Sequence, residues 1–134
     1  MNLPPYAALI GIVPDPAPDT ADATVLLMPF AEGVLGRPGF LHGGAIAGLL
    51  EMAAFVAATD ALAGEGGGRI KPVTITVDYL RGGRDHPTRA AGTVTRLGRR
   101  VANVEATAWQ DARDRPIAAA RFTFLLEERT SPAA

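Results

Sequence analysis

The feature that most constrains the fold is a long apolar segment near the middle of the chain. Residues 44–62 contain no proline, and residues 45–59 carry one charged side chain, Glu51, amid mostly alanine, leucine, isoleucine, valine and phenylalanine. The length favours a helix, and a helix that is apolar nearly all round has to be covered by other elements. The sequence therefore predicts one long buried helix.

Five further segments have patterns typical of strands. They are residues 24–28, 73–80, 88–97, 101–110 and 117–126. Residues 73–80 alternate apolar and polar side chains, which predicts a half-buried strand. The last three segments are joined by short turns that suit hairpins, so the sheet should be antiparallel, with the helix covering its apolar face. The predicted fold class is α+β, an antiparallel β-sheet wrapped around one long central α-helix.

A chain of 134 residues with 48% hydrophobic residues is sized for one domain. We expect residues 1–134 to form it. Residues 6–12 suit one or two helical turns, but the proline cluster that follows breaks regular structure, so we interpret residues 1–22 as a lid or connector. Residues 127–134 are polar, and we expect a frayed tail there.

Composition and charge argue against several classes of protein. The formal net charge of -1 gives no global positive field for binding nucleic acid. The absence of cysteine excludes disulfides and cysteine nucleophiles. The N-terminus lacks the pattern of a signal peptide, and we interpret no apolar run as long and uncharged enough to span a bilayer. We therefore expect a cytoplasmic protein with no membrane span and no nucleic-acid partner.

Residue usage also argues against two common hydrolase mechanisms. The only serine is Ser131, in the tail, and no Gly-x-Ser-x-Gly elbow is present. The two histidines, His42 and His86, are far apart in sequence and lack an HExxH motif or an acidic cluster. We expect neither a serine nucleophile nor a metal ion.

The start of the predicted helix is the first candidate site. His42 precedes Gly43 and Gly44, whose lack of side chains leaves the first backbone N–H groups of the helix unobstructed. A helix N-terminus carries about half a positive charge, so a thioester carbonyl placed there would be polarised and its oxyanion stabilised. The alternative is a plain loop-to-helix junction that His42 caps.

Glu51 is the second candidate, because an ionised carboxylate in an apolar helix is costly to bury unless it is paired or functional. Ala47, Gly48 and Phe55, at helical spacing, leave room beside it for a substrate carbonyl or a water. The alternative is an ion pair with an arginine of another strand or subunit. His42 lies nine positions away across the helix start, so we assign it to positioning.

Arginines cluster at two predicted turns, where guanidinium groups can grip phosphates. The clusters are Arg81 with Arg84, and Arg96 with Arg99 and Arg100. A nucleotide-bearing substrate would suit them. The chain has twelve arginines beside one lysine, so the alternative is that these side chains serve solubility.

Three sequence features occur together in one known family. They are the segment HGGAIAGLLE at residues 42–51, the segment TVDYLR at residues 76–81 and an Arg-x-Gly-Arg turn that begins at Arg96. The combination resembles the phenylacetic acid degradation (PaaI-type) branch of the hotdog thioesterase superfamily. The resemblance runs over residues 41–126.

The resemblance implies a hotdog fold whose subunits join their sheets side by side into homodimers, often homotetramers, with active sites at the dimer interface. It implies hydrolysis of an acyl-CoA or aryl-CoA thioester, with no cofactor. Glu51 would act as general base on water or attack the thioester carbonyl, and the amide of Gly43 or Gly44 would hold the oxyanion. The arginine clusters would lie near the CoA phosphates. As our own hypothesis beside the resemblance, we expect apolar residues of the partner helix and of the N-terminal segment to line the acyl pocket, with Phe40, Met52 and Phe55 as the candidates.

Two positions depart from the family pattern. Gly36 replaces an asparagine or glutamine that many relatives carry six residues before the histidine, and Pro72 replaces a frequent serine or threonine seven before the tyrosine. One alternative is therefore a noncatalytic acyl-CoA binding protein of the same fold. A hotdog dehydratase has less support, because its aspartate and histidine pair is absent from the helix. A structural interaction protein would pair Glu51 fully with an arginine.

Overall fold

The computed structural model describes residues 3–18 and 24–127. Its helices are α1 (Pro5–Leu9), α2 (Gly43–Ala63) and a 3-10 turn at Glu32–Val34. Its strands are β1 (Val13–Pro14), β2 (Val25–Met28), β3 (Arg69–Tyr79), β4 (Thr88–Leu97), β5 (Val101–Trp109) and β6 (Ala118–Glu127). These bounds confirm the predicted long helix and the five predicted strands, while the two-residue strand β1 was not predicted.

The six strands form one antiparallel sheet in the order β1-β2-β4-β5-β6-β3. The sheet wraps α2, which packs mainly against β4 and β5. The predicted fold class, a hotdog arrangement of sheet around helix, is confirmed.

Small side chains on the inner face of the sheet let the helix approach closely. The buried alanines Ala90, Ala102, Ala106, Ala108, Ala118 and Ala120 lie there. At Gly92 of β4, an added Cβ would stand 2.7 Å from the carbonyl oxygen of Ala53, so only glycine fits beneath α2. Larger residues fill the other end of the inner face, where the rings of Phe122 and Phe124 stack at 5.9 Å.

The prediction that residues 73–80 form a half-buried strand is wrong for the single chain. β3 is the edge of the sheet and pairs only with β6. Val73 and Ile75 are 54% and 43% exposed, because α2 lies over β4 and β5 and leaves the inner face of β3 largely uncovered. A bulge between Pro72 and Thr74 shifts the pairing register.

The N-terminal segment lies against the rest of the molecule at two points. Ala7 of α1 is buried in the core, and Asp15, just after β1, forms an ion pair of 2.8 Å with Arg89 of β4. Residues 1–2 and 19–22 of the predicted connector, and all but Glu127 of the predicted tail, lie outside the described residues.

By length and composition α2 is able to cross a membrane, contrary to the expectation from sequence. Most of it is buried inside the molecule, and the core helix of a soluble protein passes the same test.

Candidate active site

The start of α2 is held in place by the chain on both sides of it. The N–H of His42 donates to the carbonyl of Val34 at 2.8 Å, and the N–H of Leu41 donates to that of Gly83 at 2.9 Å. His42 is the N-cap of the helix, and its Nδ1 accepts a hydrogen bond of 2.8 Å from the N–H of Gly44. His42 therefore caps the helix, as the alternative interpretation of this junction expects, and the cap orients the first turn of the helix.

Tyr79, at the end of β3, fixes the same peptide from the other side. Its hydroxyl donates to the carbonyl oxygen of Gly43 at 2.8 Å. Its ring lies directly over Gly43, where an added Cβ would stand 3.3 to 3.5 Å from three ring and hydroxyl atoms. Sequence reasoning used Tyr79 as a motif residue and missed this contact, for which the pattern of β3 gives no signal.

The two contacts leave one amide of the helix start available. The N–H of Gly44 is taken by His42, and the carbonyl of the same peptide is taken by Tyr79. Among residues 3–18 and 24–127, the N–H of Gly43 has no hydrogen-bond acceptor. Of the two predicted oxyanion donors, the geometry thus leaves Gly43 free, at the positive end of a 21-residue helix.

A cleft of about 340 Å³ opens at this amide. It is lined by Arg37, Phe40, Leu41, Gly43, Ile46, Tyr79 and residues 80–83. It joins a free N–H donor to the exposed guanidinium of Arg81. The arrangement suits a carbonyl at the helix start with an anionic group nearby.

Phe40 lies in this cleft between two cations. The guanidinium carbons of Arg37 and Arg84 stand 4.1 and 4.3 Å from the centre of its ring. Stacking of this kind fixes the planes of both guanidinium groups. Phe40 is thus part of a charged rim, and Arg37 is a site residue that sequence reasoning missed.

Glu51 lies on α2 two turns after the free amide. Glu51 is half-buried, so in the single chain it stays partly open to solvent. Within the described residues, Glu51 has neither an ion-pair partner nor a hydrogen-bond partner. The described part of one chain therefore gives no support to the alternative of a structural ion pair.

The two predicted pocket residues on α2, Met52 and Phe55, are placed differently. Met52 is buried inside the core, where it cannot line an open pocket. Phe55 is partly buried and follows Glu51 by one turn, so it stays beside the carboxylate.

The two arginine clusters lie at opposite ends of the sheet. Arg96, Arg99 and Arg100 surround a hollow of about 240 Å³ at the turn between β4 and β5. Arg81 and Arg84 lie at the other end, near the start of β4. A ten-residue strand is about 30 Å long, so one chain cannot offer both clusters to one diphosphate.

Among the described residues, no group of three or more histidine and acidic side chains is placed to hold a metal ion.

The fold and this site define a class of protein in which a sheet wraps one helix, and the first residue of that helix has a free backbone N–H. Residues 38–117 match the family described as the thioesterase superfamily. The match covers 80 of the 134 residues, and the chain belongs to the thioesterase superfamily. No curated protein matches the chain significantly.

Solved structures are similar over nearly the whole chain. A Chromobacterium violaceum protein is 35% identical, with 94% of this chain and 85% of that chain covered and a TM-score of 0.72. A phenylacetic acid degradation-related protein from Ralstonia eutropha is 23% identical, with 93% and 92% covered and a TM-score of 0.75. A Bacillus halodurans protein, whose structure contains CoA, is 21% identical, with 90% and 74% covered and a TM-score of 0.75.

Proposed function

We propose that this protein is an acyl-CoA or aryl-CoA thioesterase of the PaaI type, in which Glu51 activates water and the Gly43 amide holds the oxyanion. The observation that carries the proposal is the free amide of Gly43, fixed by His42 and Tyr79 at the start of α2. Membership of the thioesterase superfamily supports the reaction class. The similarity to a CoA-containing structure supports CoA as the proposed leaving group.

The proposed reaction balances without a cofactor. The Glu51 carboxylate accepts a proton from water as the water oxygen adds to the thioester carbonyl carbon. The carbonyl oxygen becomes an oxyanion that accepts a hydrogen bond from the Gly43 amide. The tetrahedral intermediate then breaks its C–S bond, and the CoA sulfur takes the proton from Glu51 as the free acid leaves.

The distance between these two groups argues for a site built from two chains. Gly43 and Glu51 are eight residues apart on one helix, which is about 12 Å along its axis. The N–H groups at a helix start point away from the helix body, so a bound oxyanion lies still further from Glu51. We propose that the Gly43 amide of one subunit and Glu51 of a second subunit act on the same carbonyl.

The free edge of β3 supports such an assembly. It is eleven residues long, lies at the end of the sheet and exposes apolar side chains. Long exposed edges of this kind pair with other strands unless they are protected. Joining two copies edge to edge would also cover the inner face of β3.

The arginines of the cleft support the proposal that the leaving group carries phosphates. Arg37 and Arg81 line the cleft at Gly43, and we propose that they hold a phosphate of CoA. The hollow at Arg96, Arg99 and Arg100 is the second candidate for a phosphate, from the same or another subunit. Phe55, beside Glu51, is the described apolar residue best placed to meet the acyl group.

The test is release of CoA from short, medium, long-chain and aromatic acyl-CoA esters, followed with a thiol reagent. Absence of cysteine keeps the background low. We expect turnover of at least one ester, and a loss of at least about a hundredfold in kcat for Glu51→Gln, as removal of a general base predicts. Binding of the ester, measured as a rise in Tm, should persist in that variant.

The matched control is Asp60→Asn, which neutralises an exposed carboxylate of the same helix. Its activity should equal that of the unmodified protein. No release from any ester, with esters still raising Tm, would instead establish the noncatalytic binding protein. Equal activity of Glu51→Gln and the unmodified protein would remove Glu51 from the mechanism.

A further inference from the structure

The short helix α1 contacts α2 at Gly48, one helical turn before Glu51. The Tyr6 ring lies directly on this glycine. A Cβ added at Gly48 would stand 2.5 Å from the Tyr6 hydroxyl oxygen and 2.9 Å from its Cε2. Any side chain at position 48 would therefore displace the ring. The close packing of Tyr6 on α2 depends on glycine at this position.

This contact brings the Tyr6 hydroxyl close to the carboxylate. Residues three apart on a helix have Cβ atoms about 5–6 Å apart, so the hydroxyl lies within about 8 Å of the Glu51 Cβ. Helical side chains lean toward the N-terminus of their helix, which for Glu51 is toward Gly48. The hydroxyl and the carboxylate are thus close enough for one water to bridge them.

Both groups are available to such a water. Within residues 3–18 and 24–127, neither the Tyr6 hydroxyl nor the Glu51 carboxylate has a hydrogen-bond partner. A phenol donates and a carboxylate accepts, so the water accepts from one and donates to the other, and its bond to the carboxylate is charge-assisted. Nothing else on α1 is able to do this, since its other side chains are proline, alanine and leucine.

The neighbours of Tyr6 hold its ring on α2. Ala7, the next residue, is buried in the core. The N–H of Ile12 donates to the carbonyl of Ala7 at 2.8 Å, which fastens the end of α1. Tyr6 itself is 42% exposed in the single chain, so water has access to part of its side chain.

We propose that Tyr6 is a positioning residue for Glu51, an inference that rests on the function proposed above. Its hydroxyl donates a hydrogen bond to a water that in turn donates to one carboxylate oxygen. The carboxylate is then fixed with its other oxygen facing the attacking water, whose proton it accepts. The segment before β1 thereby takes part in catalysis as well as covering the helix.

The first test is Tyr6→Phe, which keeps the ring on Gly48 and removes only the hydroxyl. Loss of the hydroxyl loosens the charge-assisted bond of the bridging water to the carboxylate, which predicts a fall in kcat of about tenfold or more. KM and Tm should stay unchanged, whereas a purely structural role would alter Tm and leave kcat intact. The control is Leu9→Ala, at a residue of α1 that is 79% exposed, and its kinetics should match the unmodified protein.

The second test is Gly48→Ala, whose methyl group pushes the ring away from the helix. It should lower kcat to a similar extent. The double variant Tyr6→Phe/Gly48→Ala should lose no more than the worse single variant, because both changes remove the same hydrogen bond. Fully additive losses would contradict a shared role.

The outcomes separate the two proposals. If the unmodified protein releases CoA and Tyr6→Phe has the same kcat, the role of Tyr6 is overturned and the thioesterase stands. If the unmodified protein releases no CoA from any ester, the thioesterase fails and the role of Tyr6 fails with it.

Discussion

The Nδ1 atom of His42 accepts a hydrogen bond of 2.8 Å from the amide of Gly44. In this bond Nδ1 is the acceptor, which leaves Nε2 as the ring nitrogen able to donate. The ring therefore works as an N-cap, a task that serine, threonine, aspartate and asparagine usually perform. The same hydrogen bond occupies the N–H of Gly44, so the N–H of Gly43 is the free donor at the cleft.

His42→Asn tests whether this histidine positions the helix or moves protons. Asparagine is a good N-cap, so we expect the free energy of unfolding and most of kcat to be retained. His42→Ala should lower the free energy of unfolding by about 1 kcal/mol in urea denaturation. A general base would give the opposite kinetic result, with both variants losing about a hundredfold or more in kcat.

Tyr79→Phe should lower kcat more than it alters binding. It removes the hydrogen bond to the carbonyl of Gly43 and loosens the peptide that borders the free amide. A neutral hydrogen bond contributes about 1 kcal/mol, so a fall in kcat of roughly fivefold is expected, with KM unchanged. Steady-state kinetics on the best ester of the panel measure both, and a rise in KM alone would place Tyr79 in substrate binding instead.

The long helix was predictable because its signals are local. Glycines border the apolar run on both sides, and the observed bounds, Gly43–Ala63, differ from the predicted residues 44–62 by one residue at each end. The strands β4, β5 and β6 were predictable for the same reason, since turn residues separate alternating patterns. Elements whose structure depends on neighbouring residues can therefore be predicted from a single sequence.

The contacts that shape the site were not predictable, because they join distant parts of the chain. Tyr79 and Gly43 are 36 positions apart, and the packing of Tyr6 on Gly48 has no sequence pattern of its own. The alternation in β3 was interpreted as a half-buried strand, although it marks a face that the single chain leaves exposed. An apolar pattern shows that a face is to be covered but not which molecule covers it.

The Asp15–Arg89 ion pair predicts a pH-dependent contribution to stability. Burial raises the pKa of the Asp15 carboxyl, but the N–H of Ala17 and the Arg89 guanidinium together lower that pKa by more, and the net shift is below the ordinary 3.8. Because the pKa is lower in the folded protein, the stabilisation is present above about pH 4 and is lost as the pH falls through the folded value.

Asp15→Asn should therefore lower the free energy of unfolding at pH 7 by about 1.5 to 3 kcal/mol, the range for hydrogen bonds to charged groups. The difference from the unmodified protein should shrink progressively as the pH falls below 3.8. Asp111→Asn, an exposed carboxylate in the turn before β6, is the control and should have no effect at either pH. A difference that is equal at pH 7 and pH 2.5 would exclude ionisation as its origin.

Ile75→Lys tests whether a second copy covers β3. Ile75 pairs with the buried Phe122 and so shares the inner face of the sheet, yet it is 43% exposed in the single chain. A lysine there is harmless to the monomer but would place an unpaired charge inside a dimer interface. We expect the unmodified protein to be a dimer or tetramer by light scattering, and the variant to be smaller and to lose thioesterase activity.

Val13→Lys is the matched control, since Val13 is 44% exposed on the opposite edge of the sheet, and it should keep both mass and activity. A site shared between two chains has to fail when the chains separate, so loss of mass and loss of activity should occur together. A variant that keeps its mass but loses activity would instead mean that Ile75 meets the substrate and that the subunits join elsewhere.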